Sequence, residues 1–353
     1  MKGEFPYYGS TGIIDYVNQF IYDGEYLLIS EDGANLTVRK YPIAFLANGK
    51  FWVNNHSHVV KAKEKVCTNK FLEFYFAILN LKEYITGSAQ PKLSQKKLNT
   101  IPIPLPFLQE QKRIVSKLDT LFEKIDKAIA LHQKNMDEAD VFMGSVLNDV
   151  FVDLESKYGT SKLSNLASFQ NGFAFKSKEF NSEAKGLQVI RIGNVVNIRK
   201  NPVYIDERAE FKKYLLLEND IVISMTGTRK KQDYLFVRVV KTSNSYLNQR
   251  VGKLQAKSNS NYKFIYYFLQ SNTFRDKIFE FETGAVNQGN ISGKDIMNRE
   301  IANTPLNIQQ KTVTYLDEIS QKIEKIKSVQ KEKMESLVAL KASLLDQAFR
   351  GEL

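Results

Sequence analysis

Few side chains in this sequence are arranged for covalent chemistry. His56 and His58 stand two apart in a stretch that reads as a strand, so they share a face. A zinc site needs more ligands than three histidines and one cysteine readily supply, and no metal or other cofactor is assigned. Hydrogen bonding in a loop, or contact with a polyanion, is the better expectation for the pair. No stretch fits Gly-x-x-x-x-Gly-Lys-Ser/Thr, so ATP hydrolysis is not expected. Cys67 is the single cysteine, which excludes an internal disulfide framework and fits a reducing, cytoplasmic setting; it reads as a buried, inert thiol.

Other side chains suit recognition. Phosphate contacts draw on Lys, Arg, Ser, Thr and backbone N–H groups, which Lys176, Ser177, Lys178 and the run Thr226, Gly227, Thr228, Arg229, Lys230, Lys231 supply in loops. Base edges need forked partners, Arg for guanine and Asn or Gln for adenine. Arg191, Asn194, Arg229, Asn248, Gln249 and Arg250 are candidates in the second half of the chain. Ser10, Thr11, Asn35, Arg39, Asn54, Asn55 and His56 are candidates in the first. Gly33 and Gly227 would let a loop approach a duplex closely. Taken singly, a loop residue of these types is more often a turn former or a solvated side chain. Gln90 and Gln288 are read as ties between a domain and its helix.

The elements that must position these loops follow from length and pattern. The 353 residues are about two domains' worth, and 43% apolar with 25% charged residues is a globular composition. No stretch approaches the roughly 20 apolar residues that span a bilayer. Net charge is +11, from 50 basic and 39 acidic residues. Residues 161–260 hold 18 Lys/Arg against 8 Asp/Glu, whereas residues 106–150 hold 6 against 8. The positive charge therefore sits on a strand-and-turn stretch, which suits a polyanion; plain solubility is the competing reading.

Residues 1–105 and 153–304 read as short strands and turns. Residues 106–152 and 305–353 read as spacer segments, each built on one long helix of about 40 residues, roughly 60 Å. Leu118, Leu121 and Ile125 in the first, and Leu316, Ile319, Ile323 and Ile326 in the second, form a heptad-like seam that must find a partner. The halves repeat: Gln111, Val115, Leu118 and Asp119 match Gln309, Val313, Leu316 and Asp317, each 198 positions on. Ser94 matches Ser292, and Ile29-Ser30 through Gly33 answers Ile223-Ser224 through Gly227. The second half opens with residues 161–186, and the first has no counterpart of them. A period near 200 is a duplicated domain pair.

In this order and duplication the motifs resemble the specificity subunit of bacterial type I restriction-modification systems, over essentially the whole chain. The carriers are Asn171-Gly172-Phe173-Ala174-Phe175-Lys176, Pro6-Tyr7-Tyr8-Gly9-Ser10-Thr11-Gly12, Asn54-Asn55-His56-Ser57-His58-Val59, both Thr-Gly-…-Gln-…-Ser segments, Pro-x-x-x-Glu/Gln-Gln entering each helix, and the closing Leu344 to Leu353. The resemblance implies an α+β chain: two α/β target recognition domains joined by two long antiparallel helices that form a coiled-coil spacer, as a pseudo-twofold repeat. It implies a non-catalytic protein that reads a bipartite site in double-stranded DNA. Its partners would be methyltransferase (modification) subunits, two of them, docked on the helices, and restriction or translocase subunits. No membrane partner is expected. The first domain, residues 1–105, is expected to be shortened at its front.

Asn201-Pro202-Val203-Tyr204 is faintly similar to the Asn-Pro-Pro-Tyr loop of amino-methyltransferases, but the second proline and a glycine-rich cofactor loop are missing. Two rival readings stay open: a coiled-coil adaptor with degenerate heads, as a silent gene copy would be, and a self-contained methyltransferase or nuclease.

Overall fold

The structure is a computed structural model that describes residues 3–87, 89–242, 244–285 and 287–353. The chain forms two compact units, Met1–Lys134 with Val329–Leu353, and Asn135–Ser328. The first contains β1 (Phe5–Gly9), β2 (Gly12–Val17), β3 (Tyr22–Asp23), β4 (Tyr26–Ser30), α1 (Asn35–Val38), β5 (Ala44–Ala47), β6 (Lys50–Val53), β7 (Ser57–Val60), α2 (Asn69–Ile78) and α3 (Gln95–Leu98). The long helix α4 (Leu108–Tyr158) contributes to both units. The second unit contains β8 (Thr160–Lys162), β9 (Ala167–Asn171), β10 (Leu187–Ile190), α5 (Ile192–Val196), β11 (Tyr204–Ile205), β12 (Leu215–Leu216), β13 (Ile221–Ser224), β14 (Thr226–Gly227) and β15 (Val237–Val239). It continues through β16 (Ser245–Leu247), β17 (Val251–Ala256), α6 (Tyr262–Phe268), α7 (Asn272–Ile278), β18 (Gly289–Asn290), α8 (Gly293–Met297) and β19 (Glu300–Ala302). The second long helix, α9 (Leu306–Arg350), is again shared.

The repeat read from the sequence is a repeat of sheets. The order β2-β1-β6-β3, with β1 and β6 parallel, recurs as β11-β10-β16-β12, with β10 and β16 parallel. The antiparallel order β5-β4-β7 recurs as β15-β13-β17, there extended by β9. Register confirms the equivalence: Ile29 pairs with His58 as Ile223 pairs with Gly252, a constant offset of 194. The N-caps are also shared. Thr68 and Asn261 cap α2 and α6, and Ser94 and Ser292 cap α3 and α8, each side chain accepting an early backbone N–H.

The long helices are antiparallel within each unit. In the first unit Lys341 meets Asp126 at 2.8 Å, and Gln330 meets His132. In the second, Lys327 meets Asp140 at 2.8 Å. As one number rises the other falls. α9 lies within residues 305–353, whereas α4 runs past residue 152 to Tyr158. It passes through Gly144 because Leu147, Phe151 and Leu154 beyond it are buried in the core of the second unit. Gly159, with φ of 67° in the left-handed region, ends it.

The seam divides into two roles. Leu118 and Leu316, both 0% exposed, lie in the cores of their own units, among Phe71 and Leu93 and among Phe264 and Ile301. Ile125 and Ile323 are buried, Leu121 and Ile319 partly so, and Ile326 is 47% exposed. The ties between domain and helix are not Gln90 and Gln288. Gln90 is exposed, and the Gln288 amide donates to Asn290 in its own hairpin. Gln111 and Gln309 make the ties instead. Gln111 donates to the carbonyls of Val66 and Pro106, both at 2.9 Å. Gln309 donates to those of Asn259 and Thr304 and accepts from the Asn261 N–H.

Candidate nucleic-acid interface

In each unit the parallel strand pair ends side by side, and two loops leave from its carboxyl ends. In the second unit the last paired residues are Ile190 and Leu247, so Arg191 and Asn248 begin the loops; in the first they are Tyr8 and Val53, followed by Gly9 and Asn54. Asn248-Gln249-Arg250 therefore occupies the place of Asn54-Asn55-His56. The sequence presents both triplets as candidates, and only the strand register relates them. A third loop adjoins each pair. The Met225 N–H donates to the Arg250 carbonyl at 3.1 Å, and the Glu31 N–H donates to that of His56 at 2.9 Å. The Thr226 to Lys231 cluster thus shares one edge with Asn248 to Arg250.

A cleft of about 440 Å³ in the second unit brings together Ser177, Arg191, Asn194, Lys200, Gln249 and Arg250. Gln249 and Arg250 are exposed, and among the described residues neither side chain makes a hydrogen bond. The Arg191 guanidinium donates to the Asn201 carbonyl, while its Nε is buried without a partner. Asn194 is 1% exposed and internally engaged: Oδ1 accepts from the Arg191 N–H at 3.1 Å and Nδ2 donates to the Lys200 carbonyl at 2.9 Å. It shapes the loop and presents no free edge. Lys200 is exposed on the rim, and its sequence signal is no more than one lysine in a basic stretch. Lys176 and Lys178 are exposed beside Ser177.

The neighbouring loop is braced from within. Thr226 is 7% exposed and its hydroxyl donates to Asn290 Oδ1 at 2.7 Å. Gly227 is required by packing, since a Cβ there would stand 2.6 Å from the Tyr234 ring. The Thr228 N–H donates to Asp233 at 2.7 Å, and Thr228 holds the Asp233 carboxyl below the usual carboxylate range. Glu282 accepts from the Lys230 N–H and from the Tyr234 hydroxyl; burial first, then that bond, pushes the Tyr234 phenol well up. Arg229 donates to the Gly284 carbonyl at 2.9 Å. Lys230 itself has φ of 64°, in the left-handed region, and the Lys230 and Lys231 side chains are exposed.

The first unit is poorer in free donors. The Asn35 amide bonds the Tyr41 backbone in both directions. Arg39 donates to the carbonyls of Phe76, Ala77 and Leu79 at the end of α2, and burial lowers its pKa. It is a helix cap. The Ser10 carbonyl accepts from the Ser30 hydroxyl at 2.6 Å, and Asn54 Oδ1 accepts from the His56 N–H at 3.0 Å. His56 pairs with Asp32 at 2.9 Å, whereas His58 bonds the Leu93 carbonyl at 2.7 Å. Thr11 and Asn55 are exposed. Among the described residues no group of three or more His, Cys, Asp and Glu is placed to hold a metal. Cys67 is buried, and desolvation pushes its thiol up. Among the described residues no helix is long and apolar enough to cross a membrane.

The type I restriction modification DNA specificity domain model matches residues 1–135 and 155–335. A Haemophilus influenzae protein assigned as a type I restriction enzyme specificity subunit is 45% identical over 121 residues, 34% of this chain and 31% of that protein. The EcoAI specificity subunit of Escherichia coli is 30% identical over 194 residues, 53% of this chain and 32% of the relative. The matched stretches thus span about a third of these relatives' own length. Among solved structures, a chain from work on assembly and conformational transition of the type I R-M system superposes with a TM-score of 0.75 at 20% identity, covering 99% of this chain and 92% of that one. The HsdS subunit of Thermoanaerobacter tengcongensis superposes at 0.50, also at 20% identity, covering 99% and 91%. With two repeated α/β units, antiparallel long helices and a family match over most of its length, the chain belongs to the type I restriction modification DNA specificity family.

Proposed function

We propose that this chain is the DNA-reading, non-catalytic subunit of a type I restriction-modification complex in the cytoplasm. One observation carries the reading. In both repeats the loops at the carboxyl ends of the parallel strand pair hold forked polar side chains, and in the second unit these stand beside exposed cations. Gln249 and Arg250 suit base edges, with Lys176, Lys178, Lys200, Lys230 and Lys231 suited to phosphates. In the first unit Thr11, Asn55 and His56 take the corresponding positions. Asn194, Thr226, Gly227, Asn35 and Arg39 act as supports for these loops. Two half-sites, one per unit, follow from the duplication.

Modification subunits dock on the long helices. The surface available to them is not the buried part of the seam but the exposed apolar side chains on those helices, Leu131 and Val338 in the first unit and Val141, Phe142 and Ile326 in the second. Two such subunits match two repeats, and a restriction or translocase subunit would join through them. A modification enzyme would flip its target adenine out of the duplex.

Co-expression with a type I modification subunit, followed by genome-wide mapping of methylated adenines, tests the proposal. The expected result is a split motif, two short specified halves around a constant gap. A motif with one half only would mean that the first unit is blind. Methylation independent of this chain would overturn the reading.

A further inference from the structure

The two repeats differ at one loop end. In the second unit the Met225 N–H donates to the Arg250 carbonyl, and in the first the Glu31 N–H donates to that of His56. Both bonds keep the offset of 194 set by the strand register, so His56 stands where Arg250 stands, and Asp32 where Thr226 stands. Thr226 turns inward, its hydroxyl donating to Asn290 Oδ1 at 2.7 Å. Asp32 turns the other way. Its two carboxylate oxygens lie 3.0 and 2.9 Å from His56 Nδ1.

The imidazole is pinned. The His56 N–H donates to Asn54 Oδ1 at 3.0 Å, its carbonyl accepts from Glu31, and its ring rests on Asp32. The other charged groups nearby engage one another. Lys92 lies 3.1 Å from Glu31, His58 Nδ1 lies 4.0 Å from Glu31, and His58 Nε2 bonds the Leu93 carbonyl. Among the described residues His56 is the only side-chain partner of Asp32. An ionised carboxylate only accepts, so the ring proton sits on Nδ1. In the neutral ring Nε2 is then a bare acceptor. The His56 side chain is 48% exposed, against 17% for Asp32, and Nε2 makes no hydrogen bond among the described residues. One lone pair on a fixed ring is what this loop end presents.

We infer that Asp32 sets what the first unit reads: His56 Nε2 accepts from an exocyclic amino group in the major groove, adenine N6 or cytosine N4. Arg250, at the same place in the second unit, can only donate and suits the guanine acceptors O6 and N7. The inference rests on the DNA-reading function proposed above. Asp32 is a positioning residue that acts through His56. An amide in its place would free the ring, because it can offer Nδ1 either an oxygen or an N–H. Nε2 then accepts in one tautomer and donates in the other.

The test uses the full chain assembled with a type I modification subunit, at about pH 8, above the ordinary imidazole range. Methylation motifs of the unaltered and His56→Ala complexes locate the base pair: one position of one half-site should lose its preference. Duplexes altered at that pair then separate acceptor from donor. Deleting the amino group, with purine for adenine or a pyrimidinone for cytosine, should weaken the unaltered complex about three- to tenfold more than the His56→Ala complex. A deazapurine lacking N7 should affect both complexes alike. Asp32→Asn should make this one position degenerate and leave the other half-site intact. No relaxed position in His56→Ala, a loss specific to the deazapurine, or an unchanged motif in Asp32→Asn would overturn the inference. A motif with only the second unit's half-site would also overturn it, while DNA reading by that unit stands. Methylation independent of this chain would overturn both.

Discussion

His132 and Gln330 hydrogen-bond to one another and are also the same position of the internal repeat, 198 residues apart. When two copies of one helix pack antiparallel, a single level exists at which a position faces its own copy. Above and below it each residue meets a different one, as Asp126 meets Lys341. Here the copies have diverged into an imidazole and an amide that bond each other.

A double-mutant cycle on His132→Ala and Gln330→Ala should return a coupling of about 0.5–1.5 kcal/mol by denaturant unfolding, the net worth of a part-buried hydrogen bond. Additive effects would mean the two side chains meet without bonding.

The two buried glutamines should not be equal. Gln309 uses both ends of its amide, whereas Gln111 Oε1 is buried without a partner. Gln309→Ala should cost about 2–3 kcal/mol and Gln111→Ala about 1–2 kcal/mol, because more buried backbone groups are orphaned in the first case. Unfolding midpoints of the two variants check the order.

Asp317 accepts from Lys263 and from the Tyr267 hydroxyl, both at 2.6 Å. The bond raises the Lys263 pKa above its ordinary 10.5; burial first, then the bond, raises the Tyr267 phenol well above its ordinary 10.0. Both shifts are upward, so this stabilisation is fully present below about pH 10 and is lost as pH rises through the folded-state values. Asp317→Asn should make the alkaline decline of stability shallower. It should not abolish it, since burial of Tyr267 persists. A pH series of melting temperatures from 8 to 12 checks this.

DNA binding by the assembled complex should separate two kinds of residue. Lys230→Ala should weaken all sequences alike and reduce the slope of log affinity against log salt by about 1. Arg250→Ala should relax one base position by about 1–3 kcal/mol. Competition binding against single-base variants at two salt concentrations distinguishes them. Asn194→Ala should instead lower the stability of the second unit, by about 1–3 kcal/mol, through the orphaned Arg191 and Lys200 backbone groups.

Much of this architecture was legible in the chain itself. Leu118 and Leu316, or Ser94 and Ser292, declare a repeat because their spacing is constant and periodicity is a local property. The long helices are legible for the same reason, since an unbroken apolar step needs no knowledge of its partner. Basic residues gathered in 161–260 point to a polyanion without any fold. What the chain alone could not decide is which polar residues are free. Asn194 and Gln249 read alike in sequence, as do Arg39 and Arg250. One of each pair is consumed by backbone groups that only packing brings near, and the other is left facing solvent. Strand register made Asn54 and Asn248 equivalent, and the second unit's core drew α4 on past Gly144 to Tyr158. Composition and spacing are written along the chain. Whether a donor is already satisfied depends on atoms distant in sequence, as Arg39 is met by carbonyls at the end of α2, and only the tertiary structure brings those together.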